Sequence, residues 1–187
     1  MYRNYIKPTL DFIISLILIL ILWPVMLVVA IITYIDLGSP IFNLIRKREG
    51  KNRKTYIMYK FRTKRLNTEN SHRYTRVSKW IDKLRLNELP QLFNVLKGDM
   101  SIVGPRPFIP GDNLPEGKID PKRYLVRPGI TGLAQVSGGR DITHKEKLKY
   151  DVIYYDNMSF KTDLIIVLKT IIKLLDFNIE DNEYLTK

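Results

Sequence analysis

Phe12 to Ile35 reads FIISLILILILWPVMLVVAIITYI, a run without a charged residue. A continuous stretch of about 18 or more apolar residues is the pattern of a membrane-inserted segment. As a straight helix it would reach ~36 Å, slightly more than a hydrocarbon core of ~30 Å. The run is too long for the apolar part of a secretory leader, and no small-residue cleavage site follows it. Pro24 lies in its middle, and a proline there removes a backbone donor and crowds the preceding turn, so a kink is expected. Arg3 and Lys7 precede the run, while Arg46, Lys47, Arg48, Lys51, Arg53 and Lys54 follow it. Both ends therefore carry the positive charge of a cytoplasmic flank. A kinked span with a cytoplasmic body and a helix that bends at Pro24 and returns to the face it entered are both open on these residues alone.

The 187 residues suffice for one domain with a core. The chain has no cysteine, which excludes disulfides, thiol nucleophiles and thiolate metal sites. Lys and Arg number 31 against 19 Asp and Glu, a net charge of +12. Such an excess points to an anionic partner: nucleic acid, anionic lipid or a phosphorylated small molecule. A solvated basic surface is the plainer alternative. The membrane segment and the lack of any RNA- or DNA-binding motif argue against nucleic acid.

Beyond the apolar run, Ser39 to Phe42 reads as a turn into a short strand, and Lys51 to Lys54 as a hairpin tip returning through Tyr56 to Tyr59. Val77, Trp80, Ile81 and Leu84 have helical spacing over Val77 to Leu86, and a second short helix follows from Glu88 to Leu96, stopped by Gly98. Asn67 to Tyr74 and the Gly- and Pro-rich stretch Gly104 to Pro128 read as loops. Ile142 to Tyr155 is polar and amphipathic. Thr162 to Phe177 predicts a helix with Lys169 and Lys173 on one side, suited either to a membrane surface or to a core. His72 and His144 are lone and lack metal-ligand spacing.

Five strings stand in a fixed order: Tyr59-Lys60-Phe61-Arg62-Thr63; Glu88 through Ser101 (ELPQLFNVLKGDMS); Val103-Gly104-Pro105-Arg106-Pro107; Arg127 through Val136 (RPGITGLAQV); and Tyr150-Asp151-Val152 with Asn157-Met158-Ser159-Phe160. With the Pro-broken segment they cover nearly the whole chain, and together they resemble the bacterial sugar-transferase family, the monotopic phosphoglycosyl transferases in their small form. The resemblance implies a mainly α fold with a small β-hairpin, an N-terminal Pro-kinked re-entrant helix and interfacial amphipathic helices. It divides the chain into a membrane segment (1–36), a cytoplasmic or interfacial domain (37–177) and a polar tail (178–187). It implies transfer of a phosphosugar from a nucleotide diphosphate sugar to a polyprenyl phosphate at the cytoplasmic face of the bacterial inner membrane.

The resemblance also implies roles. An adjacent Asp-Glu dyad supplies the nucleophile and a contact to Mg²⁺; Glu88 is its second member and the metal contact here. Lys60, Arg62, Arg106, Arg127 and Arg140 are implied phosphate ligands, expected to converge near Glu88, with Gln135 and Asp151 as further site residues. The chemistry is coherent: attack at phosphorus builds charge on equatorial oxygens, which cations and a metal stabilise, and a carboxylate can attack to give an acyl phosphate. Plainer roles exist for each. Lys60 and Arg62 can reach for lipid headgroups, Arg106 can brace its rigid loop, Glu88 can serve a helix N-terminus, and Asp151 can pair with a nearby cation.

At the first dyad position the chain departs from the pattern. The family reads Leu-Asp-Glu-Leu-Pro; this chain reads Leu86-Asn87-Glu88-Leu89-Pro90. A neutral amide is a poor nucleophile, and its NH₂ is a donor where a metal needs an acceptor. Asp82 stands where the family has an arginine, which sets an anion against an anionic substrate. Arg85, Lys64 and Trp23 also differ from the usual residues. The expectation is a non-catalytic or impaired member of glycan assembly, held to inner-membrane lipid and able to pair with itself or with a catalytic homologue. The alternatives are an active transferase using Glu88 or a rearranged site, and a variant in which the aspartate was exchanged by design.

Overall fold

The computed structural model describes residues 1–43, 47–66, 74–111, 119–139 and 141–175. After one π-helical turn over Tyr2–Ile6 comes α1 (Lys7–Leu37), which continues through Pro24. Lys7, Asp11, Ser15, Met26, Val29 and Thr33 are its buried residues. Steps of three, four and eleven residues put these on one helical face. The other face leaves Phe12, Ile17, Leu20, Ile21, Trp23 and Leu27 exposed, an apolar surface suited to lipid.

The body is mainly helical, with two small sheets. β1 (Lys47–Glu49) and β2 (Thr55–Ile57) form the expected antiparallel hairpin, with Arg48 opposite Tyr56. Its tip is a 3-10 turn at Lys51–Arg53, where Asn52 takes a positive φ of 55°. Next come α2 (Arg76–Lys83), a 3-10 turn at Leu86–Glu88 and α3 (Gln91–Leu96). The second short helix expected from Glu88 therefore begins later, at Gln91; the intervening Pro90 lacks an N–H and suits a helix start better than an interior.

β3 (Ser101–Val103) and β4 (Gly129–Thr131) pair in parallel, Ser101 opposite Gly129 and Val103 opposite Thr131. The sequence reading had no such sheet. Within Gly104 to Pro128 the only regular element among the described residues is a 3-10 turn at Pro121–Leu125. α4 (Leu133–Ser137), α5 (His144–Asp156) and α6 (Phe160–Leu175) complete the fold. The polar stretch 67–73, which includes His72, and the tail 178–187 lie outside the described residues.

α1 meets the body at both ends. Near its C-terminal half, Met26 and Val29 pack with Phe61 and Ile81 in one core cluster. Near its start the contacts are polar. Lys7 Nζ donates to Asp163 Oδ2 at 2.7 Å, and Tyr2 donates to the same oxygen at 2.6 Å. Ser101 Oγ donates to Asp11 Oδ2 at 2.7 Å, and the Ile102 N–H to Oδ1 at 3.2 Å. Tyr154, fully buried in a second cluster with Val103, Val136 and Ile166, donates to Asp163 Oδ1 at 2.7 Å. On α6 only Asp163 and Ile166 are buried, and Leu164, Leu168, Ile171, Ile172 and Leu175 are exposed.

The β3–β4 contact depends on glycine. A Cβ on Gly129 would overlap the Gly104 nitrogen and the Thr131 oxygen, and a Cβ on Gly104 would overlap the Arg127 oxygen. Gly129→Ala must push the two strands apart, so it is expected to cost about 1–3 kcal/mol. Thermal unfolding in detergent checks this: a lowered Tm is expected, and an unchanged Tm would show that the strands separate freely.

Candidate functional site

The geometry around residue 87 starts from how α2 ends. Thr75 caps α2 in a reciprocal pair with Ser78, and Ile81 sits in the core against Met26, Val29 and Phe61. These fix the last turn of α2, which carries Asp82. The chain then reverses at Arg85, in the left-handed region at φ 57°. The 3-10 turn that follows folds Asn87 back under α2. Asn87 is fully buried. Its Nδ2 donates to Asp82 Oδ1, its carbonyl accepts from the Phe61 N–H at 2.9 Å, and its Oδ1 has no partner among the described residues.

Glu88 points into a group of cations. Its Oε1 lies 3.2 Å from Lys60 Nζ and 3.8 Å from an Arg85 nitrogen. Lys60 Nζ is also 3.9 Å from Asp82 Oδ1, so it stands between the two carboxylates. Burial pushes the Glu88 carboxyl up, but Lys60, Arg85 and Arg106 together outweigh burial and hold it below the usual carboxylate range. Glu88 and Arg106 line one cleft with Arg48, Gln91, Pro107 and Gly129.

Behind Arg106 stands a residue that the sequence reading passed over. Arg123 donates to the Arg106 carbonyl at 2.7 Å, and its guanidinium carbon lies 3.5 Å from the Phe108 ring centre. Arg123 Nε is 3.2 Å from Asp151 Oδ2, and both side chains are buried. Burial, only partly opposed by Arg123, pushes the Asp151 carboxyl up to about 7. Asp151 thus braces the loop that presents Arg106. No motif covers Arg123; the only signal was a lone arginine after Asp120-Pro121 in a Pro-rich stretch.

The expected convergence is partial. Lys60 contacts Glu88, and Arg106 lines the same cleft near it. Arg62 does not: it is buried and donates to the carbonyls of Leu37 and Gly38 at 2.5 and 2.6 Å. Those are the last carbonyls of α1, which lack helical partners and favour a cation. Arg127 is half-buried with its guanidinium against Gly98, at the end of α3, and is not among the residues lining the cleft. Gln135 donates weakly to the Ile130 carbonyl at 3.5 Å, on α4. Arg140 lies outside the described residues.

Among the described residues no three His, Cys, Asp or Glu side chains gather as a metal site. Mg²⁺ is usually held by one or two carboxylates with substrate phosphates completing its shell. Asp82, Glu88 and the unpartnered Asn87 Oδ1 are oxygen donors of that kind, so the residues present fit such an ion.

Residues 2–177 match the family model described as bacterial sugar transferase, and the chain belongs to that family. It is 42% identical over 149 residues to the uncharacterized sugar transferase EpsL of Bacillus subtilis (strain 168), covering 75% of this chain and 73% of that one. It is 37% identical over 187 residues to the UDP-N-acetylgalactosamine-undecaprenyl-phosphate N-acetylgalactosaminephosphotransferase of Aeromonas hydrophila, covering 91% of this chain and 44% of that one. It is 35% identical to the UDP-glucose:undecaprenyl-phosphate glucose-1-phosphate transferase of Xanthomonas campestris pv. campestris, covering 90% and 38%. The chain thus spans less than half the length of the latter two.

The Asp151 carboxyl supplies a test. Its pKa is raised on folding, so the folded state binds its proton more tightly. The stability it contributes is full below the ordinary carboxylate range near 4 and is lost as pH rises to about 7. Asp151→Asn is expected to flatten the pH dependence of Tm across that window. An unchanged profile would assign the dependence to other groups.

Proposed function

We propose that this protein transfers a phosphosugar from a nucleotide diphosphate sugar to a polyprenyl phosphate, as a membrane-bound step of glycan assembly, and that no covalent intermediate forms at residue 87. The observation that carries the reading is the set of cations, Lys60, Arg85 and Arg106, about Glu88. A diphosphate placed there meets fixed positive charge, which stabilises the charge that builds as phosphorus is attacked. Lys60 and Arg106 bind and orient it, Arg123 and Asp151 hold the Arg106 loop, and Glu88 keeps the cations together when the substrate is absent. Mg²⁺, held by Glu88 and the Asn87 Oδ1, would neutralise charge on the bound diphosphate. An amide at 87 has no carboxylate oxygen to offer phosphorus.

A second reading is a non-catalytic subunit that binds the same molecules. One observation favours it: the residue at the nucleophile position is a fully buried amide.

The same reading includes topology. The two halves of α1 pack on one body: Lys7 and Asp11 on Asp163 and Ser101, Met26 and Val29 on Phe61 and Ile81. These attachment points are ~33 Å apart along a straight helix, about the thickness of the hydrocarbon core. A helix that crossed the bilayer would separate them onto opposite sides. We take α1 as re-entrant, entering and leaving at the cytoplasmic face, with the exposed apolar side chains of α1 and α6 toward lipid. Single cysteines placed near residues 2 and 39 are expected to be labelled from the same side. Labelling of position 2 from the periplasmic side alone would refute the re-entrant arrangement.

The function is tested by donor binding and by transfer to polyprenyl phosphate from a panel of radiolabelled nucleotide sugars. Lys60→Ala and Arg106→Ala are each expected to weaken donor binding by about tenfold or more, the effect of losing a charge-assisted contact of ~1.5–3 kcal/mol. Binding with transfer supports the enzyme. Binding without transfer supports the second reading, and absence of both overturns the two.

A further inference from the structure

We propose that Asp82 is the catalytic residue that attacks phosphorus in this chain, doing from α2 what a carboxylate at residue 87 cannot do here. The inference rests on the transferase reading above. Four observations support it. Asn87 is fully buried and carries no carboxylate, whereas the Asp82 and Glu88 side chains keep 17% and 16% of their surface. The Asn87 amide is engaged by its Nδ2 on Asp82 Oδ1, so the two residues form a hydrogen-bonded carboxylate–amide pair across the Arg85 reversal. Lys60 stands 3.9 Å from the same oxygen and links Asp82 to the cation cluster. Among the described residues both contacts fall on Oδ1, which leaves the lone pairs of Oδ2 for a substrate.

Glu88 is the competing carboxylate, and its surroundings argue against it. Its Oε1 faces Lys60 and Arg85, with Arg106 close by, and a carboxylate so neutralised is a weak nucleophile. Asp82 instead has a neutral amide as its nearest partner. That amide fixes the rotamer without quenching the charge, which is the task of a positioning group beside a nucleophile. Ile81, locked in the core, and the Thr75–Ser78 cap hold the helix that carries Asp82, so the attacking atom sits on a rigid element. The anion at position 82 is then a reactant rather than a source of repulsion.

The steps balance without a further reactant. An ionised Asp82 oxygen bonds to the sugar-bearing phosphorus of the donor. The anhydride bond to the nucleoside monophosphate breaks, and its electron pair leaves on the monophosphate oxygen. A phosphate oxygen of the polyprenyl phosphate dianion then bonds to the same phosphorus. The phosphorus–Asp82 bond breaks, the carboxylate re-forms, and a polyprenyl diphosphosugar departs.

The test uses the full chain in detergent with the radiolabelled donor panel. The wild type is incubated with donor alone, quenched and digested, and the phosphosugar adduct is located by mass spectrometry; sensitivity to hydroxylamine marks an acyl phosphate. The adduct is expected on the peptide bearing Asp82. D82N keeps an oxygen that accepts from Asn87, so the fold is expected to survive, with Tm as the check, while the adduct disappears and transfer falls by about a thousandfold or more. E88Q is expected to weaken donor binding yet still form the adduct. An adduct on Glu88, or transfer undiminished in D82N, would overturn the role of Asp82 and leave the transferase reading standing. Wild-type protein that binds donor but gives neither adduct nor transfer would overturn both.

Discussion

Lys7 and Asp163 meet at 2.7 Å where both are buried, and the pair anchors the start of the long apolar helix α1 to the rest of the chain. A charge inside an apolar helix is costly unless it is paired and hydrogen-bonded. Here it is: Asp163 also accepts from Tyr2 and Tyr154, and the neighbouring Asp11 accepts from Ser101 and Ile102. Removing one member of such a pair typically costs about 3–5 kcal/mol because the other charge is left buried. The polar residues of α1 are therefore a seam that orients the helix, and the apolar remainder is left to face outward. The seam also ties α1, β3 and α6 together, three elements far apart in sequence.

From that seam the site is built by ordinary means. α2 is held against α1 by Ile81, a left-handed residue reverses the chain, and a 3-10 turn returns Asn87 and Glu88 beside Asp82 and Lys60. The parallel β3–β4 pair, closed by glycine contacts, sets the Arg106 loop opposite. Arg123 and Asp151 brace that loop from behind. Charges of both signs converge on a small volume, with Lys60 between the Asp82 and Glu88 carboxylates.

The helices and the hairpin were legible because their patterns are long or locally signalled. The uncharged run from Phe12, the helical spacing at Val77, Trp80, Ile81 and Leu84, and the basic tip at Lys51 to Lys54 each carry their own evidence. The β3–β4 pairing was not, since three-residue strands in a Gly- and Pro-rich stretch show no period, and parallel pairing joins residues far apart in the chain. Family motifs pointed to Lys60, Glu88 and Arg106; Lys60 contacts Glu88, and Arg106 lines the cleft beside it. They misplaced Arg62, because a motif cannot distinguish a cation aimed at a ligand from one aimed at the open carbonyls of a preceding helix. The same limit hid Arg123, which belongs to no motif and acts through a backbone carbonyl. Asp82 was read from its charge alone; its neighbour Asn87, brought back by the turn, changes what that charge means.

The cap that Arg62 places on α1 ties the long apolar helix mechanically to the site. Arg62 is two residues from Lys60, and Phe61 between them is buried against Met26 and Val29. The end of α1 and the cation beside Glu88 therefore share one mount. Membrane helices tilt to match the thickness of the bilayer around them. Leu86 and Leu89 pack on the same cluster and the Asn87 carbonyl accepts from the Phe61 N–H, so a tilt of α1 would carry Lys60 and the Asn87–Glu88 turn together and leave the spacing of the charges in the cleft unchanged.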